Sequence, residues 1–158
     1  MDKINDHYLQ INSDYIGCVD DTCLATGELL PVKDTPFDFN KRKRIGQDLE
    51  ADHIQLKNAF GYDHSFVLNG TENQLTLEEP VSGRRLVIST TAPVVQVYTN
   101  FLKDGCIGKA GRVYENREGV ALETQLMPNA INTEENPSTI LRKGDKFESN
   151  TKYVFEIM

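Results

Sequence analysis

The chain has 158 residues, 39% of them apolar and 26% charged, and a formal net charge of −7. These values fit one globular domain over residues 1–158 with a real core and exclude a disordered chain. The acidic balance excludes phosphate-backbone binding as the main task, because that needs a basic face. No nucleic-acid partner is expected.

Every apolar run falls short of membrane-spanning length. The opening Met1-Asp2-Lys3-Ile4-Asn5-Asp6 is too polar for a signal peptide, so no membrane partner is expected. Cys18, Cys23 and Cys106 form no even disulfide framework, and no nearby histidines suggest a zinc site. Reduced thiols in a cytoplasmic protein, with no metal, are the simple reading.

Tyr8-Leu9-Gln10-Ile11-Asn12 alternates apolar and polar residues and predicts a strand. A chain that opens directly into a strand points to an absent upstream segment, or to a strand completing a sheet made elsewhere. Thr26-Gly27-Glu28 reads as a turn, and Leu29 to Val32 as an edge segment, because Pro31 has no N–H for a ladder. Thr35 to Phe39 is expected to be extended around Pro36. The basic run Lys41-Arg42-Lys43-Arg44 reads as a solvated loop, with a nucleic-acid patch as the less favoured alternative for want of interleaved aromatics. Only Asp38 to Leu56 is expected to hold helix, one or two short turns weakened by Gly46.

From Gly61 onward the punctuation is that of strands. Ser65 to Leu68 predicts a strand, Asn69-Gly70 a hairpin turn, and Gln74 to Leu77 the returning strand. Further strands are expected at Arg85 to Ser89, Val94 to Tyr98, Gly119 to Gln125, Thr139 to Leu141 and Thr151 to Ile157. In the last, Tyr153, Phe155 and Ile157 form the apolar face. Gly105, Gly108 and Gly111 punctuate a loop without a phosphate-binding fingerprint. A long loop is expected from Pro128 to Pro137. The fold class is all-β, an antiparallel β-sandwich.

Two stretches are candidates for chemistry. In Val120-Ala121-Leu122-Glu123-Thr124-Gln125, alternation sends Val120, Leu122 and Thr124 to one face and Ala121, Glu123 and Gln125 to the other. A carboxylate within an apolar strand is costly to bury unless paired or used. Glu123 is therefore either a functional group or a solvent-facing residue on the polar side of a sheet. In Gly61-Tyr62-Asp63-His64-Ser65-Phe66, Asp63 is suited to accept hydrogen bonds from polyol hydroxyls, and His64 to act as an acid or base near neutral pH. The alternative is a turn aspartate beside a packed ring. Alternation assigns Asp63 and His64 to different faces. His7 and His53 read as structural or exposed, and no Ser-His-Asp set is recognisable.

The run Gly61-Tyr62-Asp63-His64-Ser65-Phe66, then Gln96-Val97-Tyr98-Thr99, then Leu122-Glu123-Thr124-Gln125 resembles the C-terminal half of the aldose 1-epimerase (galactose mutarotase) family. Pro36 to Phe39, Pro137 to Leu141 and the closing strand from Thr151 extend the likeness over nearly the whole chain. The resemblance implies part of a large, curved β-sandwich, an isomerase that interconverts the α and β anomers of hexoses such as galactose and glucose, and no cofactor. It implies Glu123 as the catalytic base, and Asp63 and Gln96 as sugar-binding residues. It also implies what is absent: the family's site takes two histidines and an arginine from its N-terminal half, one of those histidines falling shortly before this chain's start. None of His7, His53 or His64 matches them, and Asn129 stands where the family usually has an acidic residue.

Members of the family are about twice this long, so the resemblance implies a base without its acid and an isolated chain impaired in catalysis. A separate N-terminal half or self-association is then expected beside the hexose. The alternatives are a non-catalytic carbohydrate-binding module and a structural remnant that self-associates.

Overall fold

The computed structural model describes residues 3–99, 106–133 and 139–158. The strands are β1 (Tyr8–Ile11), β2 (Ser13–Val19), β3 (Ala25–Pro31), β4 (Lys43–Arg44), β5 (Asp63–Leu68), β6 (Leu75–Glu79), β7 (Arg84–Thr90), β8 (Val94–Tyr98), β9 (Cys106–Ile107), β10 (Val113–Tyr114), β11 (Ala121–Gln125) and β12 (Thr151–Ile157). Among the described residues one short helix, α1 (Ile54–Asn58), follows a 3-10 turn at Ile45–Gln47, within and just past the segment expected to turn helical, and further 3-10 turns stand outside it at Ile4–Asp6, Lys109–Gly111 and Ala130–Asn132. Two five-stranded antiparallel sheets form, ordered β12-β7-β6-β1-β4 and β11-β8-β5-β2-β3, and β9 pairs with β10 separately. The antiparallel sandwich is as the sequence predicts.

The core follows from strand parity. Ile16, Phe66, Val95 and Thr124 lie on one register row across the second sheet. Ile11, Leu75, Ile88 and Tyr153 form the corresponding row across the first. Their buried members join one cluster with Phe37, Phe39 and Tyr62. The stretch around Pro36 is irregular, and it delivers Phe37 and Phe39 as buried rings stacked edge-on against Tyr62. At the far side of the sandwich the hydroxyls of Thr124 on β11 and Thr151 on β12 lie 3.0 Å apart, tying the two edge strands together.

Several sequence expectations change. The Asn69-Gly70 turn does not close a hairpin: β5 pairs with β2 and β8, and β6 with β1 and β7, so the chain crosses between sheets there. Both strands have two better-matched neighbours, which overrides the local turn signal. Thr26 to Glu28 lies inside β3, where Gly27 takes φ +90° and absorbs a register shift against β2. β3 is an edge strand, as Pro31 requires. Thr139 to Leu141 is not a strand. Gly108 and Gly111 bracket a tight turn between β9 and β10, whereas Gly105 and residues 134–138 lie outside the described residues.

The basic run is not simply solvated. Arg42 pairs with Glu78 and covers the Tyr8 ring, Lys43 bonds Asp48 at 2.7 Å, and Arg44 bonds Asp6 at 3.2 Å. Tyr153, Phe155 and Ile157 do share a face, but that face stands at 47%, 79% and 76% exposure instead of closing the core.

Candidate functional site

Four polar side chains converge on the face of the β11-β8-β5-β2-β3 sheet that points away from the core. Glu123 on β11 stands directly opposite Gln96 on β8, which stands opposite Ser65 on β5. Asp63 is two residues before Ser65 on the same strand, and so on the same face. Gln96 Nε2 donates to Asp63 Oδ1 at 2.7 Å. Ser65 Oγ in turn donates to Gln96 Oε1, and this bond fixes which way the amide points. The Cys23 thiol donates to Asp63 Oδ2 at 3.8 Å. Its pKa is raised, first by burial and then by the Asp63 charge.

The cleft floored by Asp63, Ser65 and Gln96 is walled by Met127 and Pro128, and its volume is about 80 Å³; Glu123 lies on the same face but outside its lining. Gly17 belongs to its floor; a Cβ there would lie 3.2 Å from Met127 Sδ, so the missing side chain lets the methionine close in. Asn129 takes φ 61°, a left-handed conformation that asparagine tolerates well. Its Nδ2 bonds the Ala25 carbonyl at 3.0 Å and pins the loop after β11 to β3. Beyond β11 the sheet ends, and Glu123 is exposed there. Ligand pockets are normally several hundred Å³, so this cleft by itself is too small to enclose a ligand of that class.

The structure thus brings Glu123, Gln96 and Asp63 onto one face, and leaves all three histidines elsewhere. His64 points inward, 0% exposed, with its ring 4.7 Å from Phe37. Its Nδ1 accepts from the Asp63 amide and its Nε2 lies 3.2 Å from Gln55 Oε1, which corresponds to the neutral tautomer with the proton on Nε2. Burial, helped by nearby His53, pushes its pKa down to about 3. It is a packed ring and not an acid for this face. His53 caps α1 by accepting from the Gln55 amide. His7 lies beside Leu77 and Phe155 on the other sheet.

Sequence reasoning missed Ser65 and Cys23. Parity alone signals Ser65, two positions from Asp63. Nothing in the sequence signals Cys23, which a turn with φ 65° swings over β5. A larger depression of about 690 Å³ lies between α1 and Arg117, but the Arg117 guanidinium is spent on the Thr99 and Phe60 carbonyls.

The antiparallel sandwich has counterparts among solved structures. The aldose epimerase homologue from C. elegans superposes with a TM-score of 0.87 at 30% identity, covering 99% of this chain and 47% of that one. The galactose 1-epimerase from Lactobacillus acidophilus superposes at 0.75 with 29% identity. The aldose 1-epimerase family model matches residues 2–154, and the chain belongs to that family. It is 37% identical to human galactose mutarotase, over 98% of this chain and 45% of the human protein. It is 32% identical to the aldose 1-epimerase of Escherichia coli, over 96% of this chain and 45% of that protein. The chain spans a little under half the length of these relatives.

Proposed function

We propose that this chain is the base-carrying half of an aldose 1-epimerase that interconverts the anomers of hexoses such as galactose and glucose. One observation carries the reading: in a member of this family, Glu123, Gln96 and Ser65 share a register row, with Asp63 hydrogen-bonded to Gln96 on the same face. In the proposed reaction the Glu123 carboxylate takes the proton of the anomeric hydroxyl. The electron pair left on that oxygen forms the carbonyl as the bond from C1 to the ring oxygen breaks, and an acid protonates the ring oxygen. The aldehyde turns about C1–C2 and closes on its other face by the reverse transfers. Asp63 keeps lone pairs free for sugar hydroxyls after accepting from Gln96 and Cys23. The rigid row holds base and sugar in register. No cofactor is needed for this route.

The acid is not a histidine of this chain, since all three lie away from the cleft. In this reading it comes from outside these residues, which match 45% of human galactose mutarotase. The unpaired Cys18, Cys23 and Cys106 support a reducing, cytoplasmic setting. The placement of all three histidines away from the cleft also favours a second reading, a carbohydrate-binding module without turnover.

Polarimetry from the pure α anomer of galactose tests both. The chain alone is expected to raise the rate above background yet stay well below a complete enzyme, and Glu123→Gln to abolish that residue of activity while sugar binding persists. Activity that survives Glu123→Gln removes Glu123 as the base. Binding with no rate at all favours the module.

A further inference from the structure

We propose that Arg117 is a positioning residue for the hexose site, its guanidinium fork clamping the ends of β5 and β8 together so that Asp63 stays seated on Gln96. The inference rests on the epimerase reading of the cleft, whose lining does not include Arg117.

Asp63 is the first residue of β5 and stands opposite Tyr98, the last residue of β8. Its carboxylate is therefore carried at the very end of a ladder, where strands open most readily. Beyond that pair Thr99 prolongs the ladder. Its amide donates to the Tyr62 carbonyl at 2.9 Å, and the Tyr62 amide donates to Thr99 Oγ1 at 3.1 Å. Arg117 closes the end. Its Nη1 donates to the Thr99 carbonyl at 3.2 Å and to Thr99 Oγ1 at 3.1 Å, and its Nη2 donates to the Phe60 carbonyl at 2.6 Å. One planar group thus grips both the chain entering β5 and the chain leaving β8. The acceptors are neutral oxygens, so the fork, and not charge alone, makes the clamp.

The backbone at this point needs holding. Phe60 takes φ 53° and Arg117 φ 69°, left-handed conformations that cost a non-glycine residue energy, and Gly61 takes φ +126°. Such strain persists only where the surroundings impose it. A Cβ on Gly61 would lie 2.7 Å from Arg117 Nη1 and 2.9 Å from Thr99 Oγ1, so the guanidinium lies against the glycine. The Arg117 carbonyl accepts from the Ile4 amide at 2.8 Å, which anchors the clamp itself. Arg117 also stands just ahead of β11. The clamp therefore joins the approaches of the three strands that bear Asp63, Gln96 and Glu123.

Arg117→Gly tests this, because glycine accepts φ 69° without strain and removes the fork. In NMR spectra of the full chain, the Gln96 side-chain amide signal reports its bond to Asp63. In R117G that signal is expected to move, and galactose affinity to fall roughly tenfold through the lost bonds from a charged donor. R117K keeps the charge, loses the fork, and is expected to bind as weakly as R117G. Guanidinium chloride at ~20 mM, far below denaturing concentrations, is expected to restore both readouts in R117G, whereas equal sodium chloride is not. A merely loosened fold would respond in the opposite sense, since guanidinium denatures. Circular dichroism confirms that each variant is folded, and R117K carries the test should R117G not fold. An unmoved Gln96 signal, an R117K that matches the parent, or losses that guanidinium leaves in place overturn the proposal. A parent chain that binds no galactose counts against the epimerase reading instead, and the Gln96 signal still decides the clamp.

Discussion

His64→Gln gives the sharpest test of the interior beneath the cleft. The His64 ring is fully enclosed, touches Phe37 edge-on and holds Gln55 through Nε2. Burial, with His53 nearby, lowers its folded pKa from 6.5 to about 3. At about 1.4 kcal/mol per pKa unit, that fall corresponds to about 5 kcal/mol of preference for the neutral ring. The folded pKa lies below the unfolded one, so the unfolded chain takes up the proton first as pH falls. The contribution is complete above pH 6.5 and is lost as pH drops from there toward 3. Within that window the fold should lose about 1.4 kcal/mol of stability per pH unit through this one proton. Urea denaturation across the window measures it. His64→Gln removes the titration and keeps a polar side chain, so its stability should fall less steeply than the parent's by about that slope, whatever its absolute stability. Equal slopes for the two proteins would mean that the imidazole takes its proton in the folded state. That would refute its burial and reopen it as an acid.

Ser65→Ala removes the bond that orients the Gln96 amide; hexose affinity by calorimetry should drop roughly fivefold, the worth of about 1 kcal/mol, with little change in melting temperature. Phe37→Ala empties a site enclosed by His53, Tyr62, His64 and Phe66, and chemical denaturation should show a loss of about 3–5 kcal/mol. Cys23 is half-buried beside Asp63, and both burial and that charge raise its pKa, so its alkylation at neutral pH should be slow, speed up as pH rises, and slow further with bound galactose. Peptide mass spectrometry reads the rate, and no protection by the sugar would place the hexose elsewhere.

Strand parity carried much of the site. In a strand, side chains alternate strictly, so placing Glu123 opposite Leu122 and Thr124, and Asp63 opposite His64, needed no coordinates. The same rule contains Ser65, although no local feature draws attention to it. Turn chemistry was less dependable. Asn69-Gly70 carries a hairpin signal, yet the partners of β5 and β6 lie in different sheets, because burial of each strand's apolar face outweighs the preference of a two-residue turn. Gly27 looked like a turn and is an irregularity within an edge strand.

By itself, the amino-acid order determined that this chain makes antiparallel sheets, and that Glu123 shares a strand face with Ala121 and Gln125, opposite Leu122 and Thr124. Those properties are local, set by alternation and by the backbone limits of proline and glycine. Only the tertiary structure decided that Glu123, Gln96 and Asp63 come onto one face and that Gln96 bonds Asp63, since sequence carries no register between strands dozens of residues apart. It alone showed that Cys23 reaches Asp63, that the basic run is spent on Glu78, Asp48 and Asp6, and that the apolar face of β12 stays open. Each of these depends on which strands become neighbours, and that is chosen by burying the whole core at once.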